Sequence, residues 1–231
     1  MAKTCLSVAE GYERWAPVYD RKTNPVLNLE ERQLKRLMVP VKGRRVLDLA
    51  CGTGRWLEWT IAEGAGLAVG LDFSPAMLKI ARQKSTLRTH LARADCRFIP
   101  FAHGIFDMVV CSFAAGHIPD LHRVAKEVNR VTAPTADVYV SDLHPNAYRS
   151  GWQTGFRDGD GAVEITTFAR SAQEFMTPWF AAGFECSQTV ECRFAESDRH
   201  MLARTGKSGQ FADLCRIPAV LICHFQRTTR P

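Results

Sequence analysis

The stretch Val46-Leu-Asp-Leu-Ala-Cys-Gly-Thr-Gly54 joins a short apolar run to a glycine-rich turn. The run Arg45–Ala50 is typical of a buried strand, and Thr53–Glu63 has the pattern of a helix. Gly52 and Gly54 carry no side chain where a ligand must lie against the backbone, and the first amide groups of a helix have no acceptor within it. The segment therefore predicts a ligand-binding turn between a strand and a helix.

On both sides of this turn, segments typical of strands alternate with segments typical of helices. The predicted strands are Arg45–Ala50, Leu67–Phe73, a short one within Leu91–Phe98, Phe106–Phe113 and Ala136–Leu143. The predicted helices between them are Thr53–Glu63, Pro75–Lys84 and Leu121–Val131. This alternation indicates an α/β fold with a Rossmann-like, doubly wound sheet, in which ligands bind beyond the carboxyl ends of the strands.

The ends of the chain complete the predicted architecture. Residues 1–40, with a helix over Leu29–Val39, are expected to form a helical cap, and residues 144–170 an inserted lid after the fifth strand. After a helix over Ser171–Ala182, two further strands are predicted at Phe184–Phe194 and Ala219–Arg227. We therefore expect one domain over residues 1–231, whose seven-stranded sheet is mostly parallel with an antiparallel last strand.

Composition and charge exclude several classes of protein. The 231 residues are 46% hydrophobic and carry a net charge of +6, as in an ordinary soluble domain. Leu29–Arg45 contributes +4 of that charge, which we interpret as a solvated helix face rather than a nucleic-acid site. No apolar run approaches the ~20 residues of a membrane span, and the charged segment Met1–Trp15 does not resemble a secretory signal. Eight cysteines without a CxxC pair favour a reduced, cytoplasmic protein and predict no metal site.

The residues around the glycine-rich turn favour one cofactor class over another. Dinucleotide sites prefer a third glycine in G-x-G-x-x-G, and this chain has Leu57 at that position. Asp48 precedes the turn, where a carboxylate would repel a pyrophosphate and suit an ammonium group. Asp72 ends the second strand, where a carboxylate can accept both hydroxyls of a ribose. The pattern indicates a nucleoside that carries an amino acid and no phosphate, namely S-adenosylmethionine.

The chain resembles the class I S-adenosylmethionine-dependent methyltransferases, in particular their small-molecule branch. The matching motifs are VLDLACGTG (46–54), VGLDFSPAML (69–78), ARADCRFIPF (92–101) and FDMVVCSFAAGHIPD (106–120), with GYERWAPVYD (11–20) similar to the N-terminal element of that branch. The resemblance is close over Gly11–Leu143 and looser beyond it. One departure is Ala50, which stands where glycine is common in the family.

The resemblance implies a set of site residues. Asp48 would orient the glycine-rich turn and the methionine ammonium, Asp72 would bind the ribose, and Asp95 with the Cys96 backbone would recognise adenine. The other expected cofactor-binding residues are Tyr19, Ala50, Cys51, Gly52, Gly54, Phe73, Met77 and Cys111. His117 is the candidate general base, because histidine titrates near neutrality, and Asp142 and His144 would support it or contact substrate.

The activity predicted from these residues is methyl transfer from S-adenosylmethionine to a small-molecule acceptor, with oxygen favoured over nitrogen or carbon. Methylation of RNA or protein remains an alternative, although the chain lacks a dense basic stripe. A nicotinamide oxidoreductase and a non-catalytic cofactor-binding subunit are more remote alternatives. The sequence leaves open whether the protein is a monomer or a homodimer.

Overall fold

The computed structural model describes residues 3–21, 23–159, 161–206 and 208–227. Its strands are β1 Lys3–Leu6, β2 Arg45–Leu49, β3 Leu67–Asp72, β4 Leu91–Arg93, β5 Phe106–Ser112, β6 Thr132–Leu143, β7 Gly155–Asp158, β8 Gly161–Ile165, β9 Phe184–Cys192 and β10 Val220–Arg227. Its α-helices are α1 Val8–Trp15, α2 Pro25–Leu37, α3 Arg55–Ala62, α4 Pro75–Ala81, α5 Leu121–Val131, α6 Pro145–Arg149, α7 Ala172–Ala181, α8 Arg199–Arg204 and α9 Phe211–Arg216. Short 3-10 turns lie at Ala16–Arg21, Ser85–Leu87, Ala115–His117, Glu196–Asp198 and Ser208–Gln210.

Seven strands form one sheet in the order β4-β3-β2-β5-β6-β10-β9. The five neighbouring strands β4, β3, β2, β5 and β6 pair in parallel, whereas β10 is antiparallel to both β6 and β9. The predicted Rossmann-like sheet with an antiparallel last strand is therefore confirmed. The chain winds from β2 to one side through β3 and β4 and to the other side through β5 and β6. The carboxyl ends of β2 and β5 thus form the switch point at which such sheets bind ligands.

Successive side chains of a strand point to opposite sides, and the central strands β2, β5 and β6 are buried on both faces. Leu47, Val109 and Val138 face the layer that contains α5 and α7. On the other side, Val46 and Met108 belong to the cluster that includes α2 and α3 residues. In α5 the apolar face predicted from the sequence, namely Leu121, Val124, Ala125 and Val128, is buried.

A second, three-stranded sheet joins the N-terminal cap to the insert. Strand β1 pairs in parallel with β8, and β8 pairs with β7 as a hairpin. The expected insert over residues 144–170 thus contains a hairpin, and Asp160 between its strands lies outside the described residues. The expectation of a purely helical cap is wrong for β1, because this four-residue strand depends on a partner about 160 residues away and has no helical or strand periodicity of its own.

Two more local differences separate the prediction from the structure. Helix α2 begins four residues before the predicted Leu29, because the Asn24 side chain accepts a hydrogen bond from the Val26 N–H at 3.0 Å and Pro25 occupies the first turn. The link between β9 and β10, for which no element was assigned from the sequence, contains α8 and α9. Both are only six residues long, too short for a clear amphipathic period.

The basic segment of the sequence is largely neutralised by ion pairs. Its cations pair with carboxylates as Arg32–Asp198 at 2.8 Å, Lys35–Glu31 at 2.6 Å, Arg44–Asp137 at 2.7 Å and Arg45–Asp107 at 2.7 Å. These pairs support the interpretation of the segment as a solvated helix face and polar turn. Among the helices of the described residues, none has both the length and the apolar character needed to cross a bilayer.

The close approach of α3 to the sheet depends on a glycine in β3. A Cβ atom at Gly70 would come within 2.8 Å of both the Leu57 Cδ2 and the Cys51 Sγ atoms. Leu57 replaces the third glycine of the dinucleotide motif, and its side chain occupies the space that Gly70 leaves. The helix therefore approaches the sheet because the opposing strand, and not the helix itself, lacks a side chain.

We predict that Gly70→Ala lowers the free energy of unfolding by about 1–3 kcal/mol, since overpacking a filled core costs that much. Urea denaturation measures the change. Gly209→Ala is the matched control, because a Cβ there meets nothing within 4 Å, and it should change stability by less than about 0.5 kcal/mol. Equal effects of the two substitutions would contradict the packing argument.

Candidate functional site

A cleft of about 820 Å³, which includes space open to solvent, lies beyond the carboxyl ends of β2, β3 and β5. The cap closes it from one side through Val8, Tyr12, Tyr19 and Leu27. The sheet side is formed by Asp48, Ala50, Cys51, Gly52, Thr53, Arg55, Trp56, Asp72, Phe73, Met77, Cys96, Ser112, Phe113, Ala114, His117 and Ile118. Most of the predicted cofactor-binding residues therefore meet at the switch point of the sheet.

The turn after β2 follows a left-handed path. Ala50 has φ 57°, Gly52 has φ 55° and Gly54 has φ 84°. The strain at Ala50 explains why glycine suits this position. A Cβ at Gly52 would meet nothing within 4 Å, whereas one at Gly54 would lie 2.4 Å from the Leu87 Cδ1 atom. Gly52 thus has open space beside its Cα atom, while Gly54 is required by its backbone conformation and by packing against Leu87.

Asp72 connects the glycine-rich turn to the start of α4. Its Oδ2 accepts a hydrogen bond from the Gly52 N–H at 2.8 Å, and its Oδ1 accepts one from the Ser74 N–H at 2.8 Å. The side chain is buried, and this burial raises its pKa, although hydrogen bonds from the backbone N–H groups of Ser74, Gly52 and Phe73 oppose the shift. A carboxylate can accept about four hydrogen bonds. Asp72 therefore retains acceptor capacity towards the cleft.

Asp48 lies at the end of β2 and binds the first turn of α3. Its Oδ2 accepts a hydrogen bond from the Leu57 N–H at 2.8 Å, so the carboxylate stabilises the positive end of the helix. Burial raises the pKa of Asp48 to about 7, although the Leu57 bond and the Arg55 charge oppose the shift. The carboxylate both caps the helix and lines the cleft, so the structural and the ligand-binding interpretations are compatible.

A buried ionic cluster beneath the cleft was not predicted from the sequence. Glu30, fully buried on α2, accepts hydrogen bonds from Arg55 at 2.8 Å, from the Ser112 hydroxyl at 2.9 Å and from the Ser141 hydroxyl at 2.7 Å. Arg55 is the only permanently cationic side chain among the described residues that line the cleft. Its guanidinium offsets the negative charge of Asp48 and Glu30. The sequence could have pointed to Arg55, because it directly follows Gly54. Its partner Glu30 lies 25 residues away along the chain, so the pair itself leaves no local pattern.

The residues expected around adenine divide into two groups. Phe73, Met77 and Cys96 line the cleft, whereas Asp95 and Cys111 do not. The Asp95 carboxylate is bound by the Arg97 guanidinium, with a Nη2–Oδ2 distance of 2.6 Å, and this pair lowers the Asp95 pKa. Burial raises the pKa of the Cys111 thiol, and the same holds for Cys51, so both thiols remain protonated. Of these two expected cofactor-binding residues, Cys51 lines the cleft.

Two tyrosines of the cap close the cleft beside the candidate base. Burial raises the pKa of Tyr19 to about 12 and also raises that of Tyr12, so both hydroxyls stay neutral. The Tyr12 ring meets the His117 ring edge to face, with centroids 5.3 Å apart. Tyr12 was not singled out as a site residue from the sequence, although it lies in the N-terminal motif with Tyr19.

His117 is oriented by the insert. Its Nδ1 lies 3.0 Å from the Thr166 carbonyl oxygen, which can only accept, so Nδ1 carries the proton and Nε2 has the lone pair when the ring is neutral. The Phe168 N–H donates to the Gly116 carbonyl at 2.7 Å, and Arg170 donates to the Ala115 carbonyl at 2.8 Å. The end of the insert therefore fixes the turn that carries His117.

The other two predicted catalytic residues lie outside the cleft. Buried Asp142 accepts hydrogen bonds from the Gly116 N–H, the Leu143 N–H and the Tyr148 hydroxyl, so it supports the turn before His117. His144 caps α6 by accepting from the Asn146 N–H at 3.0 Å, and its Nε2 lies 3.2 Å from Glu191. Burial lowers the pKa of His144. The geometry gives Asp142 a positioning role and places His144 in a helix cap.

The polar groups that line the cleft fit the predicted cofactor. Paired acceptors at Asp72 suit a ribose, a carboxylate at Asp48 suits an ammonium, and Gly52 leaves space beside the backbone. In addition, the buried Trp56 Nε1–H has no hydrogen-bond partner among the described residues, so this lining residue keeps an unused donor. No group of three or more His, Cys, Asp or Glu side chains within the described part of the chain is placed to hold a metal ion.

Comparison with known proteins finds a family match in the central region of the chain. Residues 46–135 match the family described as methyltransferase domain. A demethylmenaquinone methyltransferase of Lactiplantibacillus plantarum is 36% identical over 151 residues, which is 59% of this chain and 62% of that relative. The chain thus matches less than two thirds of the length of this curated relative.

Solved structures share the fold over most of the chain. An S-adenosylmethionine-dependent methyltransferase of Mesorhizobium loti has a TM-score of 0.68 at 23% identity, covering 86% of this chain and 98% of that one. The complex of DhpI with SAH has a TM-score of 0.68 at 21% identity, covering 96% of each chain. At these identities the comparison establishes the fold.

Because the pKa of Asp48 is raised, its replacement by the neutral isostere asparagine should change the free energy of unfolding in a pH-dependent way. Because the pKa is about 7 in the folded protein and 3.8 in the reference state, the folded protein binds more protons between these values. Ionisation of Asp48 therefore lowers the free energy of unfolding as pH rises towards 7. We expect the stability difference between Asp48→Asn and the wild type to grow in favour of the variant from pH 5 to 7, by at most about 1.4 kcal/mol per pH unit, and to level off above pH 7.

Denaturation in urea at several pH values measures this difference. Asp107→Asn is the control, since the pair with Arg45 lowers the Asp107 pKa and its charge does not change over this range. The Asp107→Asn difference should stay constant from pH 5 to 8. A constant difference for Asp48→Asn as well would show that Asp48 is ionised throughout.

Proposed function

We propose, on the premise that residues 46–135 form a methyltransferase domain within the class I S-adenosylmethionine-dependent methyltransferase fold, that this protein transfers a methyl group from S-adenosylmethionine to a small-molecule acceptor. The observation that carries the proposal is the placement of two buried carboxylates, Asp48 and Asp72, in one cleft at the switch point of the sheet. A pyrophosphate would be repelled there, which argues against a nicotinamide cofactor.

Each end of the cofactor has partners in the cleft. Asp72 would accept hydrogen bonds from the ribose hydroxyls, while Phe73, Met77 and Cys96 would enclose the adenine. Asp48 would face the methionine ammonium, which favours the ionised carboxylate despite its burial. Tyr19 would cover the methionine end from the cap. S-adenosylmethionine supplies a methyl group on a sulfonium. The chain itself therefore needs to position the two reactants, exclude water from them and accept a proton.

For an oxygen acceptor, His117 would act as the general base. The acceptor oxygen forms a bond to the methyl carbon as the carbon–sulfur bond breaks, and the hydroxyl proton passes to His117 Nε2. The hydrogen bond from Nδ1 to the Thr166 carbonyl supports this role, because it keeps the lone pair on Nε2. Asp142 would act as a positioning residue through the Gly116 N–H.

Methylation at carbon is the second candidate reaction. It is favoured by the relative named demethylmenaquinone methyltransferase, with 36% identity over 151 residues. In that case the acceptor carbon attacks the methyl group and His117 Nε2 would accept the proton lost from the same carbon. Product analysis distinguishes the two reactions, because a methyl group labelled with deuterium gives different NMR and mass-spectral signatures on oxygen and on carbon.

Asp72→Asn should weaken the binding of S-adenosylhomocysteine by about 10- to 100-fold, the effect of losing hydrogen bonds to a charged acceptor. Isothermal titration calorimetry measures the affinity. Asp107→Asn is the control, because Asp107 lies at the end of β5 opposite the cleft. This variant should bind S-adenosylhomocysteine as tightly as the wild type. Unchanged affinity of Asp72→Asn would remove the ribose assignment.

His117→Gln should reduce kcat about 100-fold or more with the best acceptor found in a phenol screen, because general bases contribute at least that factor. The affinity for S-adenosylhomocysteine should stay within about twofold of the wild type, since in the proposed reaction His117 accepts the proton of the acceptor and makes no hydrogen bond to the nucleoside. The control is His103→Gln, on the exposed surface, which should leave both quantities unchanged. Full activity of His117→Gln would show that positioning alone suffices.

A further inference from the structure

A second cavity adjoins the cofactor cleft and has a different chemistry. It measures about 1040 Å³, including space open to solvent, and shares Tyr12, Tyr19, Leu27 and Phe113 with the cleft. These four residues form the boundary between the two spaces. The second cavity therefore adjoins the cofactor cleft at three aromatic rings and one leucine, which line both spaces.

The walls of this cavity are aromatic and uncharged. Tyr12, Trp15, Tyr19, Phe113 and Trp152 line it, and the described lining residues include no Asp, Glu, Lys, Arg or His. The two tyrosines do not add charge, because burial raises their pKa values. The cofactor cleft, by contrast, contains two carboxylates, a guanidinium and His117. The division of charge between the two spaces points to different ligands.

The aromatic wall is held in place by its own contacts. The Trp15 ring stacks on Tyr12 at 5.9 Å and on Phe156 of the insert at 5.2 Å, and it meets Tyr19 edge to face at 4.8 Å. Such pairs restrict the rings before any ligand arrives. The cap and the insert are also joined by the β1–β8 pairing, so both walls belong to one small sheet.

The floor residue Phe113 has an unusual backbone. Its φ is 52°, which places a bulky aromatic residue in the left-handed region, and its N–H donates to the Ser141 carbonyl at 2.9 Å. Strain of this kind persists where the surroundings require it and is concentrated at functional sites. Here it accompanies a side chain that borders both spaces.

Neutral polar groups complete the cavity. Asn24, Gln153, Thr154 and Gln210 contribute amides and one hydroxyl. The Asn24 oxygen is used by the Val26 N–H, so its amide NH₂ remains available as a donor. Groups of this type recognise carbonyl or hydroxyl substituents, whereas a charged ligand would lose its hydration without gaining a counter-charge.

We infer that this cavity is the acceptor site and that it selects an uncharged, flat aromatic molecule with carbonyl or hydroxyl substituents, excluding acceptors with a carboxylate, phosphate or ammonium group. The inference rests on the proposed function and adds the substrate class. The acceptor ring lies between the aromatic walls, and its reacting atom faces the cleft at Tyr12, Phe113 and His117.

The test uses two probes with the same ring system, 2-naphthol and 6-hydroxy-2-naphthoic acid, titrated into the protein saturated with S-adenosylhomocysteine. Calorimetry should give at least a tenfold tighter affinity for 2-naphthol at pH 7.5. Trp152→Ala should weaken the binding of 2-naphthol at least tenfold and leave the affinity for S-adenosylhomocysteine unchanged. Trp59→Ala is the control tryptophan, since Trp59 lines neither space, and it should change neither affinity.

A charge introduced into the wall gives a sharper outcome. Gln153→Arg should reverse the preference, so that the carboxylate probe binds more tightly than 2-naphthol. Equal binding of the two probes to the wild type, absence of 2-naphthol binding, or no effect of Trp152→Ala would overturn the acceptor assignment. If S-adenosylhomocysteine itself does not bind, the proposed function fails instead, so the two failures are distinguishable.

Discussion

The hydrogen bonds of one carboxylate, Asp72, hold the binding edge of this protein together. A single side chain at the end of β3 accepts from the Gly52 N–H of the neighbouring turn and from the Ser74 N–H at the start of α4. Parallel strands place these backbone groups at the same edge, and the carboxylate fixes their spacing. This link sets the spacing of the turn and α4, while Asp48 binds the Leu57 N–H of α3 and the Thr53 hydroxyl of the turn donates to Asp20.

The buried charges around the cleft compensate one another across distant parts of the chain. Glu30 on α2 binds Arg55 after the glycine-rich turn and two serines at the ends of β5 and β6. Removing either partner of a buried ion pair leaves an uncompensated charge, which is strongly destabilising. The cap is therefore tied to the sheet by electrostatics as well as by apolar packing, and the cleft forms only when both are folded together.

The cap and the insert behave as one structural unit although about a hundred residues separate them along the chain. Strand β1 pairs with β8, and the Thr166 N–H and hydroxyl both donate to the Leu6 carbonyl at 2.9 Å. The same segment binds His117 through Thr166 and the preceding turn through Phe168 and Arg170. The walls of the proposed acceptor cavity and the orientation of the candidate base thus depend on the same small sheet.

The sequence alone determined the α/β fold, the positions of the main strands and the placement of Asp48, Asp72 and His117 in one region, because apolar periodicity and a glycine-rich turn are local signals. The tertiary structure decided the rest. It separated Asp95, Cys111, Asp142 and His144 from the cleft, buried Trp179 in the core against Phe225, and revealed the Glu30–Arg55 pair and the neutral aromatic cavity. These features arise from contacts between segments far apart along the chain, and their separations are set by packing of the whole fold, which no local pattern of residues records.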